Sequence, residues 1–181
     1  IKVKEVELHA LCRPPKVKVR ITGGKLSSGP WPKYPINNCF DGNGKTFCHT
    51  ASGKGWTNVA ASEGQWAQLN FNAVPISEIT ITNRQDCCQY RLGKFKLQYQ
   101  LSSDATWHDC GKYEYKEKGT KTFRCSSEGL PAKSIKVLHL NKEMLNLGEI
   151  EVRQWKDEPV EAQILLGGGC ASSVHFAANP S

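Results

Sequence analysis

Apolar and polar residues alternate along most of this chain. Val3, Val6 and Leu8 interleave with Lys2, Lys4, Glu5 and Glu7, and Val17, Val19 and Ile21 interleave with Lys16, Lys18 and Arg20. A period of two places successive side chains on opposite faces of a strand. Both stretches are therefore predicted strands, separated by Cys12-Arg13-Pro14-Pro15, where the prolines interrupt any ladder. Similar patterns over residues 66–71, 76–82, 95–101, 107–110, 120–125, 134–140 and 148–155 predict further strands, with a Lys- and Glu-rich hairpin around 113–119. Residues 23–35, rich in Gly, Ser and Pro, read as a loop. Many short strands, Gly/Pro turns and no sustained helical period together predict an all-β sandwich. Residues 157–181 read as a tail with linker-like Glu158-Pro159-Val160-Glu161 and Gly167-Gly168-Gly169, although 164–166 could add a strand.

The chain has 181 residues, enough for one domain with a proper core plus tails. Its eight cysteines point to disulfides and an oxidising compartment. The Cys-x-x-Cys spacing of a zinc protein is missing from the sequence. There is no initiator Met and no apolar run long enough to span a membrane, so the expectation is a secreted, extracellular protein whose signal peptide is gone. Lys plus Arg number 24 against 17 acids, a net charge of +7. That surplus favours anionic glycans or membranes as partners, but the lysines are scattered, and a soluble basic surface explains them first. No nucleic-acid motif accompanies the charge.

The chemistry concentrates in Asn83-Arg84-Gln85-Asp86-Cys87-Cys88-Gln89-Tyr90-Arg91-Leu92, where the alternating strand Ile79-Thr80-Ile81-Thr82 runs out into a loop. Arginine forks donate several hydrogen bonds in a fixed geometry, and an aspartate can hold one in place. If Cys87 and Cys88 join, they form a small apolar ring between two donor-rich arginines. A sugar, with one apolar face and a rim of hydroxyls, suits that combination. The competing reading is a surface ion pair between Arg84 and Asp86, worth little, with each cysteine bonded elsewhere. Upstream, Asn37-Asn38-Cys39-Phe40-Asp41-Gly42-Asn43-Gly44 is a glycine-rich turn dense in oxygen-bearing side chains. It suits calcium, which takes about six to eight oxygen ligands, or else is a plain Asx turn.

The block from Ile79 to Arg91 resembles the core motif of the F-type lectins, the fucose-binding family typified by eel agglutinin. Asp41-Gly42-Asn43, Cys48-His49-Thr50, Trp66-Ala67-Gln68-Leu69, Lys121-Thr122-Phe123-Arg124-Cys125 and Leu145-Asn146-Leu147-Gly148-Glu149-Ile150-Glu151-Val152 agree with it in order. The resemblance spans roughly residues 15–155. It implies a discoidin-like jelly-roll β-sandwich with disulfides, flanked by an N-terminal extension strand (1–14) and a C-terminal extension (156–181). It further implies a non-catalytic lectin for terminal α-L-fucose, acting in host defence or cell recognition. The implied sugar-binding residues are His49, Arg84, Asp86, Cys87, Cys88 and Arg91, with His49 donating to the sugar. A structural calcium is implied at Asn38, Asp41, Asn43 and Glu149, with carbonyls at Phe47 and Gly148. Fucosylated glycans are the implied partners, with neither nucleic acid nor membrane insertion, and a homo-oligomer as a possible assembly.

The resemblance also implies Cys87–Cys88 and Cys110–Cys125. The family's third bridge would need a cysteine at Gly148, so Cys39 is paired with Cys48, its neighbour across the turn, leaving Cys12 with Cys170 or with another molecule. The interval from His49 to Arg84 is longer than the family's, because of an insertion over 52–64 containing Trp56. The alternative function is a discoidin-type module that binds membrane lipid or a protein through loop aromatics such as Trp31 and Trp56. An enzyme is the least supported class, since no nucleophile elbow, metal triad or paired-carboxylate element stands out.

Overall fold

The computed structural model describes residues 15–28, 33–50, 64–141 and 144–156. The expected strand over 1–11, Trp31, most of the 52–64 insertion with Trp56, the C-terminal tail and Cys12 and Cys170 lie outside them. The described residues between Val17 and Gln154 belong to one compact unit.

In chain order the strands are β1 (Lys16–Lys18), β2 (Ile21–Leu26), β3 (Cys48–His49), β4 (Trp66–Pro75), β5 (Glu78–Thr82), β6 (Lys94–Leu101), β7 (Trp107–Glu114), β8 (Thr120–Arg124), β9 (Pro131–His139), β10 (Asn146–Leu147) and β11 (Glu149–Trp155). One sheet runs β2-β4-β9-β6-β7, a second β1-β11-β5-β8, and β3 pairs with β10 as a short ribbon. The pairs β3/β10, β5/β11, β2/β4, β4/β9, β5/β8, β6/β7 and β6/β9 are all antiparallel. The period-two pattern explains the core. Ala67, Leu69 and Phe71 of β4, Phe95 and Leu97 of β6, and Ile135 and Val137 of β9 point inward from the first sheet. Ile79, Ile81, Phe123, Ile150 and Val152 meet them from the second in the same buried cluster. Phe95 packs edge-on against Phe123 with ring centroids 5.3 Å apart, which joins the two layers. Each fully buried side chain of this size stabilises the fold by about 1.5–3 kcal/mol.

Three sequence expectations need correction. The single strand expected over 17–21 is two: β1 joins the sheet containing β11, and the chain then crosses so that β2 pairs with β4. The alternating pattern runs through this crossing because both halves bury one face. The loop expected from Gly23 onward begins later, since Gly23 and Gly24 lie within β2. They look like turn residues, but Gly24 serves close approach: a Cβ there would sit 2.6 Å from the Gln68 carbonyl oxygen and 2.9 Å from Ile36 Cγ1, whereas one on Gly23 would meet nothing within 4 Å. Gly24→Ala should therefore destabilise the protein by about 1–3 kcal/mol through overpacking, read as a lowered urea midpoint with unchanged slope. Finally, β7 and β8 do not form a hairpin. They occupy the edges of opposite sheets, and the Cys110–Cys125 disulfide ties those edges together.

Candidate functional site

β5 ends at Thr82, and the loop that follows is held from beneath by Asn83. This buried side chain donates from Nδ2 to the carbonyls of Gln89 and Glu117, both at 3.0 Å, and accepts from the Arg84 amide at 2.8 Å. The Asn83 amide in turn donates to Gly119 O at 2.9 Å. So fastened, the loop tolerates a non-glycine residue in the left-handed region, Cys88 at φ 63°, a conformation costing about 1–2 kcal/mol. A short 3-10 turn, Gln89–Arg91, follows, and its Arg91 lies, like Arg84, within electrostatic reach of His49. Cys87 and Cys88 are bonded to each other, and Cys87 is exposed on the rim.

Arg84 is fixed by two neighbours, Asp86 and Phe47. Its Nη2 donates to Asp86 Oδ2 at 2.8 Å and its Nε to the other carboxylate oxygen. Its guanidinium carbon lies 3.8 Å from the centre of the Phe47 ring, a cation–π contact. Phe47 is backed by Tyr34, stacked at 4.2 Å. Arg84 holds the Asp86 carboxyl well below the usual carboxylate range. An aspartate so committed is a poor general base. Arg91 is different: its Nε is buried and has no hydrogen-bond partner among the described residues. A buried donor left unpaired costs about 1–3 kcal/mol.

β3 delivers His49 beside these arginines, because its register with β10 sets His49 against Asn146 and Cys48 against Leu147. His49 is buried, and its Nδ1 lies 2.6 Å from the Thr50 carbonyl oxygen. Only a protonated Nδ1 can bond to a carbonyl, so in the neutral ring Nε2 carries the lone pair. His49 would then accept a hydroxyl proton, where the sequence comparison expected a donor. Burial lowers its pKa below the ordinary 6.5, as do the nearby charges of Arg91 and Arg84, against the opposing bond to Thr50. The unfolded chain takes up that proton first as pH falls. Stability should thus decline as pH drops below 6.5 through the folded value, and His49→Gln should flatten that part of a melting-temperature profile.

The expected calcium residues also converge. Gly42 N donates to Glu149 Oε1 at 3.1 Å, which joins the turn to the start of β11. The turn is drawn tight around Asp41, whose Oδ1 accepts from Asn43 N at 2.8 Å and whose Oδ2 accepts from Thr46 Oγ1 at 2.8 Å. Asn38 Nδ2 donates to Phe47 O at 3.1 Å, and the Cys39–Cys48 disulfide closes the base. Gly148 immediately precedes Glu149, and a Cβ there would meet the carbonyl oxygens of Thr82 and Asn83 at 3.0 Å. Glu149 Oε2 is buried and has no hydrogen-bond partner among the described residues. Burial pushes its carboxyl pKa up, and Asp41 adds to the rise. Among the described residues no three His, Cys, Asp or Glu side chains cluster. An ion here would rely on two carboxylates plus amide and carbonyl oxygens, a donor set that fits a hard cation.

The structure thus gathers Arg84, Asp86, Cys87, Cys88, Arg91 and His49 at one place. The aromatic support from Phe47 and Tyr34 and the scaffold role of Asn83 were missed by the sequence reading. The spacing Phe47-x-His49, which puts both side chains on one side of a strand, was the available signal.

A family model described as a NedA-like, galactose-binding domain matches residues 38–137. Fucolectin-6 of Anguilla japonica is 27% identical over 139 residues, covering 75% of this chain and 73% of that protein. Among solved structures, the family 32 CBM from C. perfringens NanJ in complex with galactose superposes with a TM-score of 0.64 at 20% identity, covering 77% of this chain and 100% of the other. A Streptococcus pneumoniae fucose binding module, SpX-3, gives 0.59 at 18% identity, covering 77% and 99%. These structural likenesses agree with the discoidin-like sandwich described above.

Proposed function

The chain belongs to the F5/F8 type C family, as a NedA-like, galactose-binding domain, and from that membership we propose a non-catalytic lectin whose ligand is terminal α-L-fucose. The observation that carries the reading is the Arg84 fork held by Asp86 in the same loop as Arg91 and the Cys87–Cys88 disulfide. Fucose offers matching chemistry: ring and hydroxyl oxygens for Arg84 and Arg91, a hydroxyl for His49 Nε2, and an apolar side with a methyl group for the disulfide. Asp86 contributes by orienting Arg84. The names of Fucolectin-6 and of the fucose binding module support the choice of sugar.

A structural calcium belongs to the same reading. Asn38, Asp41, Asn43 and Glu149, with the carbonyls of Phe47 and Gly148, would hold it, and the orphaned Glu149 oxygen supports it. The ion would neutralise the Asp41 and Glu149 carboxylates. It would also brace the turn leading to Phe47 and His49. The Cys39–Cys48, Cys87–Cys88 and Cys110–Cys125 disulfides favour an extracellular setting. Recognition of fucosylated surfaces in host defence or between cells is the role such a lectin would serve.

Inhibition of red-cell agglutination is the test. Free L-fucose should abolish agglutination at concentrations where D-galactose does little, because galactose carries a hydroxymethyl group in place of the methyl. Equal potency of the two sugars would replace fucose by galactose as the ligand. Indifference to both would favour the lipid- or protein-binding alternative.

A further inference from the structure

On the outer face of the five-stranded sheet, far from any use in the loop site, the strand registers line up Lys25, Gln68, Lys136, Gln98 and Asp109 in one row crossing β2, β4, β9, β6 and β7. Two indoles flank this row. Lys25 Nζ lies 5.5 Å and Lys136 Nζ 5.2 Å from the Trp66 ring, and Lys136 Nζ lies 3.8 Å from the Trp107 ring. The acid at the end of the row is already engaged: Asp109 Oδ2 pairs with Lys96 at 3.0 Å, and Oδ1 accepts from Gln98 at 2.8 Å. Lys25 and Lys136 have no carboxylate partner among the described residues, although they share one indole.

We infer that this face is a second glycan-binding surface, which takes a sulfated polysaccharide laid across the strands with its sulfates at Lys25 and Lys136. Charge complementarity is the ground. Two neighbouring unneutralised ammonium groups repel, and an anion between them relieves that repulsion. Lys136 is accordingly pushed below its ordinary pKa, by burial first and then by Lys25. A row of five strands spaced about 4.8 Å apart extends roughly 19 Å, which suits an extended polymer better than a lone anion. The side chains also select the polymer. Cations lie over the indole faces, so they are poor stacking platforms for bases. The indoles belong to strands within a sheet, where they cannot wedge into a bilayer. Ammonium and amide donors set against apolar ring edges match a sugar chain bearing sulfates. The surplus of basic residues in the sequence would draw such a chain in from a distance.

Heparin is the probe. The wild-type protein should be retained on immobilised heparin at about 0.15 M salt, with an affinity that falls log-linearly with salt as counterions are released. Lys25→Gln with Lys136→Gln should weaken binding roughly tenfold or more, as loss of charged hydrogen bonds requires, and flatten the salt slope. Lys118→Gln with Lys121→Gln, the same loss of charge away from this row, should change little. Free fucose should displace none of the heparin. The melting temperature of each variant confirms that it is folded. No retention of the wild type, an equal loss in the control pair, or displacement by fucose would each overturn the inference. So would phosphatidylserine vesicles or RNA binding as tightly and with the same dependence on Lys25 and Lys136.

Discussion

Arg84→Ala should reduce fucose affinity by at least tenfold and to near the limit of calorimetric detection. A hydrogen bond from a charged donor contributes about 1.5–3 kcal/mol, or roughly 10- to 150-fold in affinity. Arg84 is already held for that task by the Asp86 carboxylate and the Phe47 ring, so little entropy is lost when sugar arrives. Removing it also takes the cation from over the ring. Arg84→Lys should fail nearly as badly, because an ammonium cannot reproduce the planar fork. Folding should lose about 0.5–2 kcal/mol in Arg84→Ala with the cation–π contact, and little from the ion pair. Asp86 is 60% exposed, and ion pairs in that setting contribute only about 0–1 kcal/mol. A calorimetric titration showing unchanged fucose affinity in Arg84→Ala would remove this arginine from the site.

Chelation should lower the melting temperature by about 5–10 °C. An ion that binds only the folded state at 100 times its Kd adds about 2.7 kcal/mol, and each kcal/mol shifts the midpoint of a domain of 150–250 residues by about 2–4 °C. The chelated protein should also respond to pH in a characteristic direction. Glu149 has a raised folded pKa, so the folded state binds the proton more tightly than the unfolded chain. Stability should then decline as pH rises above the ordinary 4.5 through the folded value. Calcium should suppress that decline by favouring the carboxylate. Fucose binding should weaken in parallel, since the turn carrying Asp41 leads directly to Phe47 and His49. Identical melting with chelator and with calcium, together with no calcium in elemental analysis, would eliminate the ion.

Much of this architecture could be read from the sequence because strands declare themselves by a period of two. Ala67, Leu69 and Phe71 alternate with Gln68 and Asn70, and the structure buries the first three. The same regularity concealed the crossing between β1 and β2. Val17, Val19 and Ile21 keep their alternation through it, and nothing in a local pattern tells which sheet a strand joins. Strand pairing is likewise non-local, which is why the segment between β7 and β8 read as a hairpin. At the candidate site, the contiguous cluster from Arg84 to Arg91 was conspicuous because unusual residue types lie close together. His49 was placed by family resemblance alone. What brings it there is a two-residue ribbon with Asn146 and Leu147, too short to leave a pattern. The ring contact of Arg84 with Phe47 joins residues far apart in sequence, and only the fold exposes it.

The central claim is that fucose sits on the Cys87–Cys88 disulfide between the two arginines. A crystal structure of the protein soaked with L-fucose tests it most directly. The account predicts sugar density packed on that disulfide, with oxygens about 2.7–2.9 Å from the guanidinium nitrogens of Arg84 and Arg91 and a hydroxyl facing His49 Nε2. Density for fucose elsewhere on the protein, with no sugar oxygen on either arginine, would contradict it.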